Sequence, residues 1–446
     1  MAVSITQLGG WGRYPVQSCE LERPERYRGL HPSAASLIAR GQGRSYGDAA
    51  LNENGRVLLT ERVNRLLDFD AEQGVLHAEA GVTLAEILEV IVPHGWFLPV
   101  TPGTKFVSLG GCVAADVHGK NHHRDGSFGE HVLGLELILA DASRVWCTPA
   151  EDAELFWATV GGMGLTGIIG EVKLKLLPLA NAWMSVRHYA AGNLDQLFEL
   201  LQDPQLDDRY AVAWLDSMAT GKDRGRGIAM FGHHAEAGAV TVGPPDRINR
   251  SWSMPFDLPQ WMLNRSSISA FNERYYQRQQ AKHGPFLSSH DAYFYPLDSI
   301  GHWNRLYGKR GFVQYQCVLP EESAREGIAQ LLEMLARSST ASFLAVLKRL
   351  GAAGKGLLSF PMSGYTLALD LPIRDHELFA VLDGLDEIVL EHGGRVYLAK
   401  DARLAAQSFR AMYPRYEAWL RVKNRVDPEN RFSSSLSRRL EIGGAA

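Results

Sequence analysis

The sequence predicts an α+β protein of two domains, and three observations lead to this class. With 446 residues, the chain exceeds the usual size of a single domain. Between about residues 33 and 180, short strands rich in Val, Ile and Leu alternate with helices and glycine-rich turns. From 181 to 394 the alternating units are longer, and residues 395–446 are too few to form a core alone. We therefore expect domains at 1–180 and 181–394, with a C-terminal segment that returns to the first.

Hydrophobic periodicity and turn-forming residues define the individual elements. Strands are predicted at Ser36–Ala39, Arg56–Thr60, Val75–Ala80, Leu133–Ala140, Ile168–Leu176, Val313–Leu319, Tyr365–Leu371 and Arg395–Ala399. Helices are predicted at Leu84–Val92, Asp152–Val160, Glu322–Ala336, His376–His392 and Phe409–Lys423. Thr83 and Thr148 are the predicted starts of the first two helices, because a threonine hydroxyl can accept a hydrogen bond from a first-turn amide. The Gly-, Pro- and Arg-rich stretch Gly221–Arg265 is predicted to be a long loop or a flexible insertion.

The composition argues against several classes of protein. A formal net charge of −4 and the lack of a basic run give no support for nucleic-acid binding. The four cysteines lie far apart without metal-ligand spacing, which argues against a disulfide framework and fits a reducing compartment. Residues 1–15 do not resemble a signal peptide, and no apolar run approaches about 20 residues. We therefore expect a cytoplasmic protein.

The stretch Ala39–Asp48 places three glycines around Arg44 directly after a predicted strand. Glycines at this density allow successive N–H groups to turn inward and form a nest for a pyrophosphate, although a simple turn has the same composition. Two further segments of small residues follow at Pro99–Thr104 and Ser108–Ala115. They allow a flat or bulky ligand to approach the backbone closely, or else permit tight helix packing.

Two motifs further along the chain resemble known ligand-binding motifs but lack the context that those motifs require. The histidine-rich stretch Asp116–His123 lacks the arrangement of a helical zinc site, in which paired histidines act with a carboxylate. Gly162–Gly167 satisfies G-x-G-x-x-G but follows a predicted helix and precedes a strand, which is the reverse of the Rossmann fingerprint. His118 and Lys120 directly follow the second small-residue segment and are predicted to contact a ligand.

Together these strings resemble the vanillyl-alcohol-oxidase type of FAD-binding fold and, within it, the decaprenylphosphoryl-β-D-ribose oxidase family. The matching strings occur in order over nearly the whole chain: Gly10–Arg13, Ala39–Asp48, His118–His123, Glu151–Gly162, Gly311–Gln316 and Tyr397–Asp401. The resemblance implies a PCMH-type FAD-binding domain at 1–180. It also implies an α+β substrate domain, or cap, over a central antiparallel sheet.

The resemblance further implies which residues bind FAD. They are Arg40, Gly41, Gly43, Arg44, Ser45, Tyr46, Gly47, Asp48, Pro102, Gly103, Thr104, Ser108, Gly110, Gly111, His118, Gly119, Ile169 and Tyr397. Arg44 stands where many relatives carry a histidine that is joined covalently to the flavin. Because arginine cannot form that bond, we expect FAD to bind non-covalently. The Arg44 guanidinium would lie near cofactor oxygens or would have a purely structural role.

The implied chemistry is hydride transfer from a sugar carbinol carbon to flavin N5. Lys400 is the implied catalytic residue, either as the base that takes the hydroxyl proton or as a fixed cation that stabilises reduced flavin. Gln316 and Lys348 complete the implied catalytic set. Lys120 and Gln314 are the implied substrate-binding residues, which would hold ribose hydroxyls or the phosphate.

The chain departs from the family at three places. Ala368 stands where the family carries a cysteine that reacts with nitroaromatic inhibitors, and Thr366 stands where it carries an asparagine. An aromatic contact near Phe294 or Tyr295 is shifted or altered. Carbinol oxidation needs no thiol and should survive these changes, whereas covalent capture by nitroaromatic inhibitors should fail.

The predicted function is FAD-dependent oxidation of the C2 hydroxyl of a polyprenylphosphoryl-β-D-ribofuranose to the 2-keto sugar. An NADH-dependent short-chain reductase would then complete epimerisation to the arabinose donor, and the lipid would bring the protein to the inner membrane face. The alternatives are an FAD-dependent oxidase of free sugars, alditols or aldono-1,4-lactones, and a flavin-binding scaffold without turnover. The apolar stretch Trp252–Leu263 is interpreted either as a mobile lid that touches lipid or membrane, or as a helix pair packed on the second domain.

Overall fold

The computed structural model describes residues 3–236, 238, 252–259, 262–338, 342 and 344–443. Its first sheet contains β1 (Ser4–Gly9), β2 (Val16–Glu22), β3 (Leu37–Arg40) and β4 (Arg56–Leu59). The strand order is β1-β2-β4-β3, with β2 and β3 both parallel to β4. The glycine-rich turn directly follows β3, as the sequence pattern predicts.

The next seven strands are β5 (Leu66–Asp70), β6 (Val75–Glu79), β7 (Trp96–Phe97), β8 (Val132–Ile138), β9 (Arg144–Cys147), β10 (Ile168–Lys175) and β11 (Leu177–Pro178). Five of them form an antiparallel sheet in the order β5-β6-β10-β8-β9, and β7 pairs with β11. The helices of this region are α1 (Leu84–Ile91), α2 (Leu109–Ala114), α3 (His122–Asp125) and α4 (Ala153–Thr159). The G-x-G-x-x-G string lies between α4 and β10, so the exclusion of a Rossmann turn is confirmed.

The two predicted helix starts have different outcomes. Thr83 caps α1 as predicted, because its hydroxyl accepts from the amide of Glu86 and the Glu86 carboxylate accepts from the Thr83 amide. The prediction that α4 starts at Thr148 is wrong, because the helix begins directly after Asp152. The Thr148 hydroxyl instead accepts from the amides of Ala150 and Glu151 and closes a turn ahead of the helix.

The remaining strands are β12 (Trp183–Ala191), β13 (Tyr210–Leu215), β14 (Gly227–His234), β15 (Trp252–Ser253), β16 (Phe286–Ser289), β17 (Ile300–Gly301), β18 (Phe312–Pro320), β19 (Ala345–Leu350), β20 (Gly364–Pro372) and β21 (Arg395–Val396). Eight of them form an antiparallel sheet in the order β16-β12-β14-β13-β19-β20-β18-β21. A short parallel pair is formed by β15 and β17. The predicted α+β class with a central antiparallel sheet is therefore confirmed.

The later helices are α5 (Leu194–Gln202), α6 (Arg265–Gln280), α7 (His290–Phe294), α8 (Glu321–Arg337), α9 (Glu377–Glu391), α10 (Ala406–Met412), α11 (Tyr416–Val426) and α12 (Ser435–Arg439). Helices α5, α8 and α9 cover one face of the eight-stranded sheet. Odd-numbered strand residues such as Tyr315 and Tyr365 point to these helices, while even-numbered residues such as Lys348 and Ala368 point to a cavity on the other face. None of the helices in the described ranges is both long and apolar enough to cross a membrane.

The predicted loop Gly221–Arg265 is wrong at β14, which lies in the sheet between β12 and β13. The strand is buried on both faces and contains a glycine at each end of its apolar run, so it lacks the alternation that identifies a half-buried strand. Residues 252–259 include β15 and contain no helix, so the helix-pair interpretation of Trp252–Leu263 is wrong for this part. Residues 239–251, Gln260 and Trp261 lie outside the described residues.

The C-terminal segment differs from its predicted elements in two respects. The strand β21 ends at Val396 rather than Ala399, and a turn follows in which the Lys400 amide donates to the Tyr397 carbonyl. The single predicted helix is divided into α10 and α11 at Pro414, which cannot continue a helix. Helix α11 packs on α4, so this segment contacts elements of the N-terminal region. The domain boundaries at 180 and 394 stay predictions.

Candidate active site

A cavity of about 720 Å³ lies between the glycine-rich turns of the N-terminal region and the even-numbered face of the eight-stranded sheet. This volume is in the range of small-molecule and cofactor sites. The predicted site residues that line it are Gly41, Gly43, Arg44, Ser45, Tyr46, Pro102, Gly103, Thr104, Ser108, Gly110, Gly111, His118, Gly119, Lys120, Ile169, Gln314, Gln316, Lys348, Tyr397 and Lys400. The fold therefore brings together residues that are up to 359 positions apart, from Gly41 to Lys400.

Three residues predicted to bind the cofactor do not line this cavity. The Arg40 guanidinium donates to two backbone carbonyl groups at 2.8 and 3.2 Å and ties β3 to its surroundings. The buried Asp48 carboxylate is paired with Arg439 at 2.8 Å. A Cβ on Gly47 would lie 1.7 Å from the Asp401 carbonyl oxygen, so Gly47 allows two chain segments to meet. These three residues therefore stabilise the glycine-rich turn without lining the cavity.

The turn after β3 has the properties of an anion-binding nest. Gly43 has a φ of +61°, which few other residues adopt readily. Within the described chain, the N–H groups of Gln42, Gly43 and Ser45 have no hydrogen-bond acceptor. A Cβ on Gly41 would lie 2.0 Å from Ser108 Oγ, so this turn is in direct contact with the start of α2. The donors and the close approach fit the pyrophosphate of FAD.

Arg44 occupies a defined position beside this turn. Its guanidinium carbon lies 4.0 Å from the ring centroid of Trp11 and 5.7 Å from that of Phe106. Both distances are those of cation–π contacts. The arginine therefore places a positive charge at the cavity wall, which fits either of its two predicted roles.

Aromatic rings form the wall near Tyr397. The Tyr397 ring stacks on Phe360 with centroids 4.5 Å apart, and its hydroxyl donates to the Ala115 carbonyl at 2.8 Å. Ile169 and Gly119 line the cavity from neighbouring segments. The flat, largely apolar lining fits a flavin ring system.

Lys400 lies on the turn after β21, and its Nζ is 4.1 Å from the ring centroid of Tyr46. Burial lowers the pKa of Lys400 to about 7, the carboxylate of Asp370 acts in the opposite direction, and Lys348 lowers it further. An amine with such a pKa is partly neutral at physiological pH. It has the protonation behaviour required of a general base.

His118 lies between Gln316 and Lys348. Its Nε2 is 2.9 Å from Gln316 Nε2, and its Nδ1 is 3.3 Å from Lys348 Nζ. Burial and then the neighbouring Lys348 hold the pKa of His118 well below its ordinary value, so the ring is neutral. Because the Gln316 amide nitrogen can only donate, His118 Nε2 accepts from it, and the single N–H of the neutral ring is on Nδ1, facing the Lys348 amine. Burial also lowers the pKa of Lys348 to about 8.

Asp370 is a residue of this site that the sequence analysis did not identify. It is 1% exposed, and its carboxylate accepts from Gln314 Nε2 at 2.5 Å and from the Tyr307 hydroxyl at 3.2 Å. Burial raises its pKa to about 6, against these two bonds and the charge of Lys400. Its even-numbered position, two residues after Ala368, was the available signal, because alternate strand residues share a face.

The charges along the cavity have one sign. Lys120, Lys348, Lys400, Lys282 and Arg44 line it, whereas no Asp or Glu of the described chain does. The Lys120 ammonium donates to the Tyr293 carbonyl and lies 4.0 Å from the centroid of the Tyr293 ring. Burial and the nearby Lys348 lower its pKa to about 7. This arrangement favours an anionic ligand.

The positions that depart from the family also lie at the cavity. Ala368 lines it, and Thr366 Oγ1 lies 3.1 Å from Gln316 Nε2. Phe294 lines the wall, whereas the Tyr295 hydroxyl is bonded to Thr101 at 2.7 Å. The altered positions therefore change the wall next to the ligand and leave Lys400 in place.

Away from Lys120, Lys348 and Lys400, the cavity continues across β12, β13 and β14 towards α6 as a mostly apolar extension. Its lining residues are Val186, His188, Val212, Trp214, Met230, Tyr275, Gln279, Lys282 and Phe286. The cavity thus has a polar, cationic end at Lys400 and an apolar end under α6.

Comparisons with known proteins agree with this geometry. The family model described as FAD binding domain matches residues 31–148, and the model of D-arabinono-1,4-lactone oxidase matches residues 312–440. The decaprenylphosphoryl-β-D-ribose oxidase of Mycolicibacterium smegmatis is 36% identical, over 98% of this chain and 97% of that protein. An uncharacterized protein of the mprA 5′ region of Streptomyces coelicolor is 35% identical, over 81% of this chain and 100% of its own.

A more distant relative is the L-gulono-1,4-lactone dehydrogenase of Mycobacterium tuberculosis, which is 21% identical over 90% of this chain and 89% of that protein. Binding of FAD follows from the matched domain and from the fit of the nest, and the redox class follows from the near full-length relative. The chain belongs to the decaprenylphosphoryl-β-D-ribose oxidase family of FAD-dependent oxidoreductases.

Proposed function

We propose that this protein oxidises the C2 hydroxyl of a polyprenylphosphoryl-β-D-ribofuranose to a ketone. The observation that supports this proposal is the division of one cavity into a cationic end with Lys400, Lys348 and Lys120 and an apolar extension under α6. A sugar phosphate fits the first part, and an isoprenoid chain fits the second. A free sugar or lactone has neither the charge nor the apolar tail for which these parts are suited.

Bound FAD would accept the hydride, and the residues of this chain would bind and orient the two reactants. The turn Gln42–Ser45 and the segment Ser108–Gly111 would hold the pyrophosphate. Lys400 is the proposed base, because burial brings its pKa to about 7 and a neutral amine can take the hydroxyl proton of the sugar. Its Nζ is held over the Tyr46 ring, which orients it in the cavity.

The other polar side chains have distinct proposed roles. Gln316 and Lys348 both contact His118, and they would hold ribose hydroxyls at the flavin. Lys120 would hold the phosphate. Gln314 is bonded to Asp370, so its contribution to substrate binding would come through the carboxamide oxygen that this bond leaves available.

The product of this step is a ketone, and epimerisation requires its reduction from the opposite face. We propose an NADH-dependent short-chain reductase as the functional partner, since such an enzyme supplies the second hydride. The isoprenoid substrate resides in a membrane, so we also propose that the protein works at the inner membrane face.

An anaerobic flavin-bleaching assay tests the substrate. Purified FAD-loaded protein is offered a polyprenylphosphoryl ribose, free ribose, alditols and aldono-1,4-lactones, and the oxidised flavin absorbance is followed. We expect bleaching with the phosphoryl ribose and a loss of at least about 100-fold in rate in Lys400→Met, in line with removal of a general base. Faster bleaching by a lactone would support the second candidate, a lactone oxidase, which the match at residues 312–440 favours.

A further inference from the structure

Helix α6 covers the apolar end of the cavity and has two faces of different character. Its inner face contributes Tyr275 and Gln279 to the cavity lining, and Lys282 follows just after the helix. The buried Asn272 donates to Asp216 at 2.7 Å and fixes the helix on the sheet. Tyr275 and Gln279 are half-buried and Lys282 is exposed although all three line the cavity, so the apolar extension opens to the surface beside α6.

The outer face of α6 combines an exposed aromatic ring with several cations. Phe271, Arg274 and Arg278 are exposed and recur at the helical spacing of three to four residues, and the exposed Lys282 follows two residues after the helix. We call these four residues the docking face. Phe271 is 50% exposed although it is a large apolar residue. It stacks on Tyr275 with centroids 6.1 Å apart, so its ring is held beside the cavity entrance.

The charges of this face are not balanced by nearby acids. Among the described residues, no carboxylate forms an ion pair with Arg274 or Arg278, and Glu273, the one acidic residue of α6, contacts Arg226 at 2.7 Å. The segment that precedes the helix adds apolar surface, since Phe256 is 61% exposed and Met262 is 41% exposed. A basic face with exposed apolar side chains is typical of helices that lie on anionic lipid.

We infer that the docking face binds the surface of an anionic lipid bilayer and holds the cavity entrance against it. Charge complementarity identifies the occupant, because the face offers three cations and a half-exposed ring. The position of the face explains its use, because the adjacent face of the same helix lines the apolar extension. An isoprenoid chain could then leave the bilayer and enter the cavity without crossing water.

This inference rests on the proposed function, since a membrane-held substrate is what gives the contact its purpose. The inference also goes beyond the proposed function, because it assigns the membrane contact to one face of α6. Removal of charge from the helix should therefore weaken membrane binding while the cavity remains intact.

Co-sedimentation with vesicles tests the assignment. FAD-loaded protein is mixed with vesicles of phosphatidylglycerol and phosphatidylcholine, or of phosphatidylcholine alone, at low and high salt. We expect binding to the anionic vesicles that weakens with salt, and a loss of about fivefold for each arginine removed in R274Q/R278Q. Phe271→Ser should also weaken binding. The matched control R421Q/R425Q removes two exposed arginines from α11 and should bind as the wild-type protein does.

Turnover of a short, water-soluble geranylphosphoryl ribose without vesicles separates this inference from the proposed function. We expect R274Q/R278Q to retain wild-type turnover of this probe, because neither arginine lines the cavity. Equal binding to neutral and anionic vesicles, or undiminished binding of R274Q/R278Q, would overturn the docking inference. Vesicle binding that depends on the docking face, without turnover of the probe by wild-type protein, would instead reject the proposed substrate.

Discussion

At the scale of single residues, the charge state of Lys400 depends on a group outside the cavity. Asp370 does not line the cavity, yet its buried carboxylate raises the pKa of Lys400, which burial and Lys348 lower. The bonds from Gln314 and Tyr307 keep that carboxylate in place. Asp370 is thus a positioning residue that keeps the pKa of the proposed base close to neutral pH.

The pH profile of Asp370→Asn checks this role. Loss of the negative charge should lower the pKa of Lys400, so the range in which the rate of flavin reduction rises with pH should move to lower pH by about one unit. The measurement is stopped-flow flavin reduction over about pH 5–9. The control is Asp386→Asn, another buried carboxylate that accepts from Tyr315 at 3.0 Å, which should destabilise the protein and leave the profile unmoved. An unshifted profile in Asp370→Asn would refute the role.

Cysteine labelling checks the correspondence at Ala368. The described cysteines are buried, and burial raises the pKa of each thiol, so the wild-type protein should not react with a nitroaromatic inhibitor of the family. Ala368→Cys places a thiol on the cavity wall. When this variant is incubated with the inhibitor during turnover, we expect mass spectrometry of the intact protein to detect one covalent adduct. Ala345→Cys, on the helix-covered face of the adjacent strand, should stay unlabelled. An active but unlabelled Ala368→Cys would show that this position does not correspond to the reactive cysteine.

At the scale of elements, the turn after β3 determines how the cofactor is held. Its left-handed residue is Gly43, where a Cβ would lie 2.3 Å from Arg40 Nη2. A side chain there would strain the backbone and displace the guanidinium that supports the turn. The anion nest therefore depends on one glycine and on one arginine outside the cavity.

A pair of glycine substitutions isolates this effect. Gly43→Ala should weaken FAD binding by about 5- to 30-fold, because a left-handed alanine costs about 1–2 kcal/mol and the nest is displaced. Gly221→Ala is the matched control, since its φ is +63° and its Cβ would meet no atom within 4 Å. Titration of apoprotein with FAD, followed by flavin fluorescence, gives both affinities. Equal affinities in the two variants would mean that the turn does not bind the pyrophosphate.

The elements also show which features a sequence reveals and which it hides. Strands β10, β18 and β20 were predictable because they are apolar runs bounded by Gly or Pro. Strand β14 was missed because its apolar run, Ile228–Phe231, is only four residues long and lies in a stretch rich in Gly and Arg. The cavity lining was largely predictable from motifs, whereas the roles of Asp370 and Lys282 depend on strand register and helix placement, which neighbouring residues do not encode.

At the scale of the whole molecule, the cationic cavity couples folding to pH. The pKa of Lys400 and Lys120 is lowered to about 7 and that of Lys348 to about 8, all below their ordinary value. The unfolded chain therefore binds more protons than the folded chain between about pH 7 and pH 10. It follows that the free energy of unfolding rises with pH in this window and that this stabilisation is lost as pH falls through 7.

Urea unfolding of the apoprotein at several pH values measures this coupling. We expect stability to rise with pH, with up to about 1.4 kcal/mol per pH unit from each of the three lysines. Lys348→Met should reduce the slope and stabilise the apoprotein near pH 7. Lys222→Met, which removes an exposed lysine, should leave the slope as it is. A wild-type slope in Lys348→Met would contradict the assignment.

The alternation of the eight-stranded sheet has a consequence for how the family diversifies. Odd-numbered residues pack under α5, α8 and α9, while even-numbered residues such as Val212, Met230, Val346 and Ala368 line the cavity. A substitution at an even position alters the binding surface without entering the helix-covered core. The match of residues 312–440 to a lactone oxidase model agrees with one sheet serving different substrates. Substitutions on the cavity side of this one sheet would therefore change the substrate specificity of these enzymes. The packing of the helix-covered core, and with it the stability of the fold, would be preserved.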